Sequence, residues 1–103
     1  MQDFYSLTHN GFVKRKGNFV PNDLGFELYA YHSDETIDFE KGTWWYVVEA
    51  TSGLAAGKGR TKAKAIELAL ESIEQQGYDV IKKMVDASID KYGMTPDHRP
   101  CYL

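Results

Sequence analysis

The chain has 103 residues, 43% hydrophobic and 26% charged, with 15 acids against 12 bases for a formal net charge of −3. Such a length leaves room for one hydrophobic core and excludes a multidomain enzyme. The composition is that of a globular chain rather than a disordered or collagen-like one, and the net charge argues against a surface that grips nucleic acid all over. No apolar run approaches the roughly 18 residues of a membrane span, and Met1 to Phe12 lack the basic-then-apolar order of a secretory signal, so a cytoplasmic protein with no membrane partner is expected. The only cysteine, Cys101, has no mate for an internal disulfide.

In chain order, Phe4 to Thr8 and Phe12 to Lys14 flank His9-Asn10-Gly11, and Asn-Gly is the pair that most readily takes the positive φ of a tight hairpin. Lys14-Arg15-Lys16-Gly17-Asn18 reads as a basic turn and Pro21-Asn22-Asp23 as a break. Phe26, Leu28 and Ala30 alternate with Glu27, Tyr29 and Tyr31 at the two-residue period of a strand. An acidic loop follows, carrying Asp34, Glu35, Asp38 and Glu40. Trp44 to Ala50, aromatic and β-branched between Gly42 and Ser52-Gly53, predicts a central strand.

From Lys62 the period becomes helical. Ala65, Ile66, Ala69, Leu70 and Ile73 fall on one face, Thr61 suits the N-cap and Gly77 the stop, which predicts a helix over Lys62–Gln76. A second helix is expected after Asp79 as cap, with Ile81, Met84, Val85, Ser88, Ile89 and Tyr92 in one stripe ending at Gly93. Residues 94–103 read as a tail behind a single domain of residues 1–93. The expected architecture is α+β: an antiparallel sheet of three to five strands with two C-terminal helices packed on one face.

Charge is uneven. Residues 50–64 hold four bases, Lys58, Arg60, Lys62 and Lys64, and no acid. Lysines at a helix start, with Glu67, Glu71 and Glu74 after them, oppose the helix dipole at a cost of about 0.3–1 kcal/mol each when exposed. A bound anion or nucleic-acid phosphate would turn that cost into a site; a solvated basic turn would simply tolerate it. The stretch is not a nucleotide loop, because from Gly53 the Gly57-Lys58 pair comes one residue early and Gly59 follows it. Nor does Gly57-x-Gly59 complete a dinucleotide fingerprint, since Lys62 stands at the third glycine.

Trp44-Trp45-Tyr46-Val47-Val48, then Gly57-Lys58-Gly59-Arg60-Thr61-Lys62-Ala63-Lys64-Ala65 and Ala69, resembles the last strand and last helix of double-stranded RNA-binding domains. The likeness covers half of that fold. It implies a phosphate role for Lys62, with Lys64 beside it, and a packing role for Ala65 and Ala69. In style and size the chain is also similar to HicB-type antitoxins and to small phage proteins, including anti-CRISPR inhibitors.

Catalytic sets are hard to assemble. His32, Ser33 and Asp34 are consecutive, and neighbours on an extended chain point to opposite sides, which defeats a nucleophilic triad. His98 and Cys101 supply two ligands where structural zinc takes four, so no metal and no cofactor are expected. His9 reads as a turn residue. The acids Asp34, Glu35 and Asp38 would hold a cation, mimic phosphates, or sit in solvent.

Aromatics are the remaining signal: seven Tyr, five Phe and two Trp exceed what a core this small requires. With both helices on one sheet face, the other would present Tyr29, Tyr31 and Trp45, or Trp44 and Tyr46, to a partner, unless the N-terminal hairpin folds over it. The sequence therefore points to a non-catalytic binding protein that occupies a macromolecular partner through Tyr29, Tyr31, Trp44, Trp45 and the acidic loop. The partner is expected to be a protein, and a phage inhibitor of a host defence complex or an antitoxin-like regulator would fit. The alternative is nucleic-acid binding through Lys58, Arg60, Lys62 and Lys64. A homodimer, in which two sheets bury each other, is compatible with either.

Overall fold

The computed structural model describes residues 1–33 and 44–96. Five strands, β1 (Gln2–Thr8), β2 (Gly11–Val20), β3 (Leu28–His32), β4 (Trp45–Glu49) and β5 (Ala55–Gly59), precede two helices, α1 (Lys62–Gln76) and α2 (Tyr78–Tyr92). The strands form one sheet in the order β1-β2-β3-β4-β5, each antiparallel to the next. This is the expected α+β arrangement.

The first hairpin closes at Thr8 and Gly11, with φ +103° on the glycine. The basic turn expected at Lys14–Asn18 does not exist: β2 runs through it. Alternation explains why, since Lys14 and Lys16 point to solvent while Arg15 turns inward and is 7% exposed. Residues 11–17 of β2 pair with β1, and 18–20 pair with β3. Gly17 stands at that handover, where a Cβ would overlap the Ala30 carbonyl oxygen and lie 2.9 Å from Phe4 Cε1. Asn22 then holds the predicted break, its side-chain amide donating to the carbonyls of Val20 and Phe26.

Leu28, Ala30 and Val47 face α1 and join Val20, Ala65, Ala69 and Ile73 in an aliphatic core. Val48 is equally buried on the far side, so β4 is covered on both faces, as a central strand should be. The far side packs Phe4, Tyr29, Tyr31, Val48 and Ala50 together. The first hairpin folds over that side, and Leu7 N–H donates to the Gly53 carbonyl at 2.8 Å, tying β1 to the turn between β4 and β5.

The Thr61 hydroxyl accepts from Lys64 N–H at 3.1 Å and caps α1 as predicted. Asp79 does not cap α2. Gly77, at φ +87°, both stops α1 and starts α2, which leaves Asp79 in the first turn, where its charge suits the dipole. The expected tail is also anchored at its start: Thr95 is 4% exposed, its hydroxyl donating to the Ala50 carbonyl at 2.7 Å. Residues 97–103, with His98 and Cys101, lie outside the described residues.

Candidate functional site

Sequence reasoning grouped four cations at residues 58–64; the fold separates them into two pairs. The separation begins with glycines. A Cβ at Gly57 would sit 2.7 Å from Ala65 O and Ala69 Cβ, and one at Gly59 2.7 Å from Ala65 N, so both glycines face α1 at close range. Lys58 between them must point to the far side of the sheet. There it lies across from its strand partner Tyr46, with Nζ 5.4 Å from that ring and 4.3 Å from the centre of the Trp44 ring. The Arg60 guanidinium carbon is 3.8 Å from the same Trp44 centroid. Trp44 is half-buried, and its carbonyl accepts from Ser33 N–H at 2.8 Å, which fixes the residue at the mouth of the β3–β4 connection.

Lys62 and Lys64 belong to the helix side. Lys62 Nζ donates to Asn18 Oδ1 at 2.9 Å, and Asn18 is paired with Ala30, whose side chain faces α1. Lys64 is exposed and 3.5 Å from Glu67 Oε2, one turn on. An i,i+3 pair of this kind is worth about 0.2–0.5 kcal/mol, enough to offset part of the dipole cost. No acid lies in the first turn of α1 and no base in its last.

The expected aromatic face is corrected in two ways. Tyr29 and Tyr31 are 8% and 6% exposed, stacked by Phe4 (5.0 Å from Tyr29) and capped by the Arg15 guanidinium (4.6 Å from Tyr31), and so present no open surface. Arg15 Nε also donates to Ser6 Oγ at 2.8 Å, so the hairpin's inward row fills the space above the rings. Trp45 is on the other side from them: the register pairs it with His32, puts Tyr46 opposite Tyr31, and packs Trp45 against the helix-side core. Of the rings expected on this face, Trp44 and Tyr46 stay half-buried at one end of the ring row, and Phe19 is exposed at the other. Tyr31 stacks on Tyr46 at 5.5 Å, and Tyr46 leads to Lys58, Trp44 and Arg60.

Tyr29 has a second constraint. Burial, followed by the hydrogen bond to the Glu27 carboxylate at 2.8 Å and that group's charge, pushes its hydroxyl up from 10.0 to about 12. Its neutral form is held.

Two residues that sequence reasoning passed over build the site from behind. Glu49, 5% exposed, accepts from Thr51 N–H (2.7 Å), Ser52 N–H (3.0 Å) and both hydroxyls, and so folds the turn that launches β5. Its signal was an acid two residues before Thr-Ser, a spacing suited to side-chain capping of a turn. Arg15 could have been found from its place between two lysines at strand period.

Asp34, Glu35 and Asp38 lie outside the described residues, which end at Ser33 and resume at Trp44. His9 and His32 are exposed, while Ser33 is buried with no hydrogen-bond partner for its hydroxyl among the described residues. His32 and Ser33 thus face different environments. No group of three or more His, Cys, Asp or Glu gathers in metal-holding range among the described residues. A cavity of about 130 Å³ between β5 and the helices is walled mainly by Leu54, Ile73, Met84 and Val85. No described helix is long and apolar enough to cross a membrane. No family model matches the chain, and neither the curated proteins nor the solved structures contain a match.

Proposed function

We propose that this chain is a small non-catalytic binding protein that acts by occupying a macromolecular partner, and that its contact surface is the edge formed by Trp44, Lys58 and Arg60. One observation carries this reading: a guanidinium 3.8 Å and an ammonium 4.3 Å from one indole centroid, on exposed residues of the last strand and the residue after it. Trp and Arg are enriched among the residues that dominate binding energy. A guanidinium already laid on an aromatic ring loses less freedom when it meets a carboxylate or phosphate, so the stack lowers the cost of engagement. Inhibition or antitoxin-like regulation by occupancy needs no more chemistry than this.

The test is capture of the partner from source cells on immobilised wild-type protein, Trp44→Ala, Arg60→Glu, and the remote control Lys83→Glu. Capture should fail for the first two variants and persist for the control; capture that survives both site variants defeats the proposal. A second reading, nucleic-acid binding through residues 58–64, draws support from the capped start of α1 with Lys64 exposed beside it. The two cation pairs look to opposite sides of β5, however, which limits how many phosphates one strand can meet. Retardation of RNA or DNA at low salt that Lys62→Glu abolishes, with a log–log salt slope of about −0.7 to −0.9 per phosphate contact, would establish it instead.

A further inference from the structure

The two edges of the sheet end differently. β1 is tied back to the β4–β5 turn through Leu7 and Gly53, whereas β5 closes the strand order with no strand on its outer side among the described residues. β5 is also short, at five residues. Apart from Lys58, its sequence, Ala55-Ala56-Gly57-Lys58-Gly59, is alanine and glycine, and α1 packs so closely on the two glycines that a Cβ at either would sit 2.7 Å from helix atoms. From these features, and resting on the contact surface proposed above, we infer that the partner supplies an extended acidic segment that adds to β5 as a sixth strand.

Backbone amides and carbonyls on an open strand edge pair with any extended chain, and side chains at every second position then decide which chain. Here the deciding positions are Lys58 and Arg60, two residues apart on one side of the strand, with Arg60 held on Trp44. The complementary segment carries acids at i and i+2 on the side away from the helices. The same cations work against a second copy of this chain. In a symmetric antiparallel pairing centred on Gly57, Lys58 of each copy would become diagonal same-face neighbours about 7–8 Å apart. Edge lysines are a common guard against such self-pairing, so one arrangement rejects like chains and selects an acidic one. With a net charge of −3, the remainder of the protein repels an acidic partner and confines it to this edge.

The experiment titrates the full chain, isotope-labelled, with three probes: a nine-residue peptide alternating Glu with Val and Thr, its counterpart with Lys for Glu, and a single-stranded oligonucleotide. The Glu peptide should bind, shift the amides of residues 55–59 and slow their hydrogen exchange. Arg60→Glu should weaken it about tenfold, the loss of one charge-assisted contact. Lys58→Glu with Arg60→Glu should reverse the preference to the Lys peptide, a gain that misfolding cannot mimic. Glu-peptide binding that leaves residues 55–59 unshifted, or protection of those amides by self-association without peptide, overturns strand addition. Binding of the oligonucleotide alone, lost with Trp44→Ala or Arg60→Glu, overturns strand addition and leaves the contact surface standing. No binding of any probe overturns strand addition, and capture from cells that survives Trp44→Ala then removes the contact surface as well.

Discussion

The two sides of this sheet are buried by different means. On the helix side the contact is close and made by small residues: Gly57 and Gly59 under Ala65 and Ala69, with Leu28 and Val47 fully enclosed. On the far side it is made by rings. Phe19, Tyr29, Phe4, Tyr31 and Tyr46 form a continuous row with centroid separations of 5.0–5.8 Å, roofed over its middle by the first hairpin. Backbone-to-backbone packing leaves nothing over for a partner. A ring row has ends, and at the end by Trp44 the described residues lay two cations, Lys58 and Arg60, on the indole.

The largest expected effect tests the roof. Phe4→Ala removes the ring stacked on Tyr29 and should cost about 3–5 kcal/mol in denaturant unfolding, comparable with Leu28→Ala on the helix side at about 2–5 kcal/mol. A near-neutral Phe4→Ala would mean that the hairpin does not seal the far side. Next, Gly57→Val places atoms against Ala65 and Ala69 and should cost about 1–3 kcal/mol or more, seen as a lowered melting temperature. A pH dependence is expected on the far side. Because the fold holds Tyr29 neutral, the stability linked to it is complete below pH 10.0 and is lost as the pH rises through about 12. Ultraviolet titration should show Tyr29 ionising late, and Glu27→Gln should move it down. On the helix side, Thr61→Ala should cost about 0.5–2 kcal/mol through the lost cap. Smallest in stability, Arg60→Glu should change unfolding by no more than about 0.5 kcal/mol while weakening partner binding about tenfold. A large stability loss there would make the Trp44 stack a structural contact.

Much of this was legible in local patterns. The hairpin at Asn10-Gly11, the cap at Thr61, the stop at Gly77 and the small faces of α1 each rest on chemistry contained within a few residues. The basic turn at Lys14–Asn18 failed because a run of three cations looks alike in a solvated turn and in a strand until a cover for the middle one is known. β5 was hidden for a related reason. Two alanines and two glycines carry no strand preference of their own, and the strand forms because Glu49 folds the turn before it and α1 packs on it.

The site divides along the same line. Residue types and spacing disclosed the cationic stretch and the surplus of rings, because charge and aromatic content can be counted along a chain. Which rings stay wet could not be counted. One register, Tyr31 opposite Tyr46 and His32 opposite Trp45, sent Trp45 to the helices, and one fold of the first hairpin enclosed Tyr29 and Tyr31. A one-residue slip in pairing exchanges the two faces of a strand, so the sequence determined only that this chain would hold a local run of cations and many rings. Only the assembled sheet decided that Trp44, Lys58 and Arg60 would be where they meet.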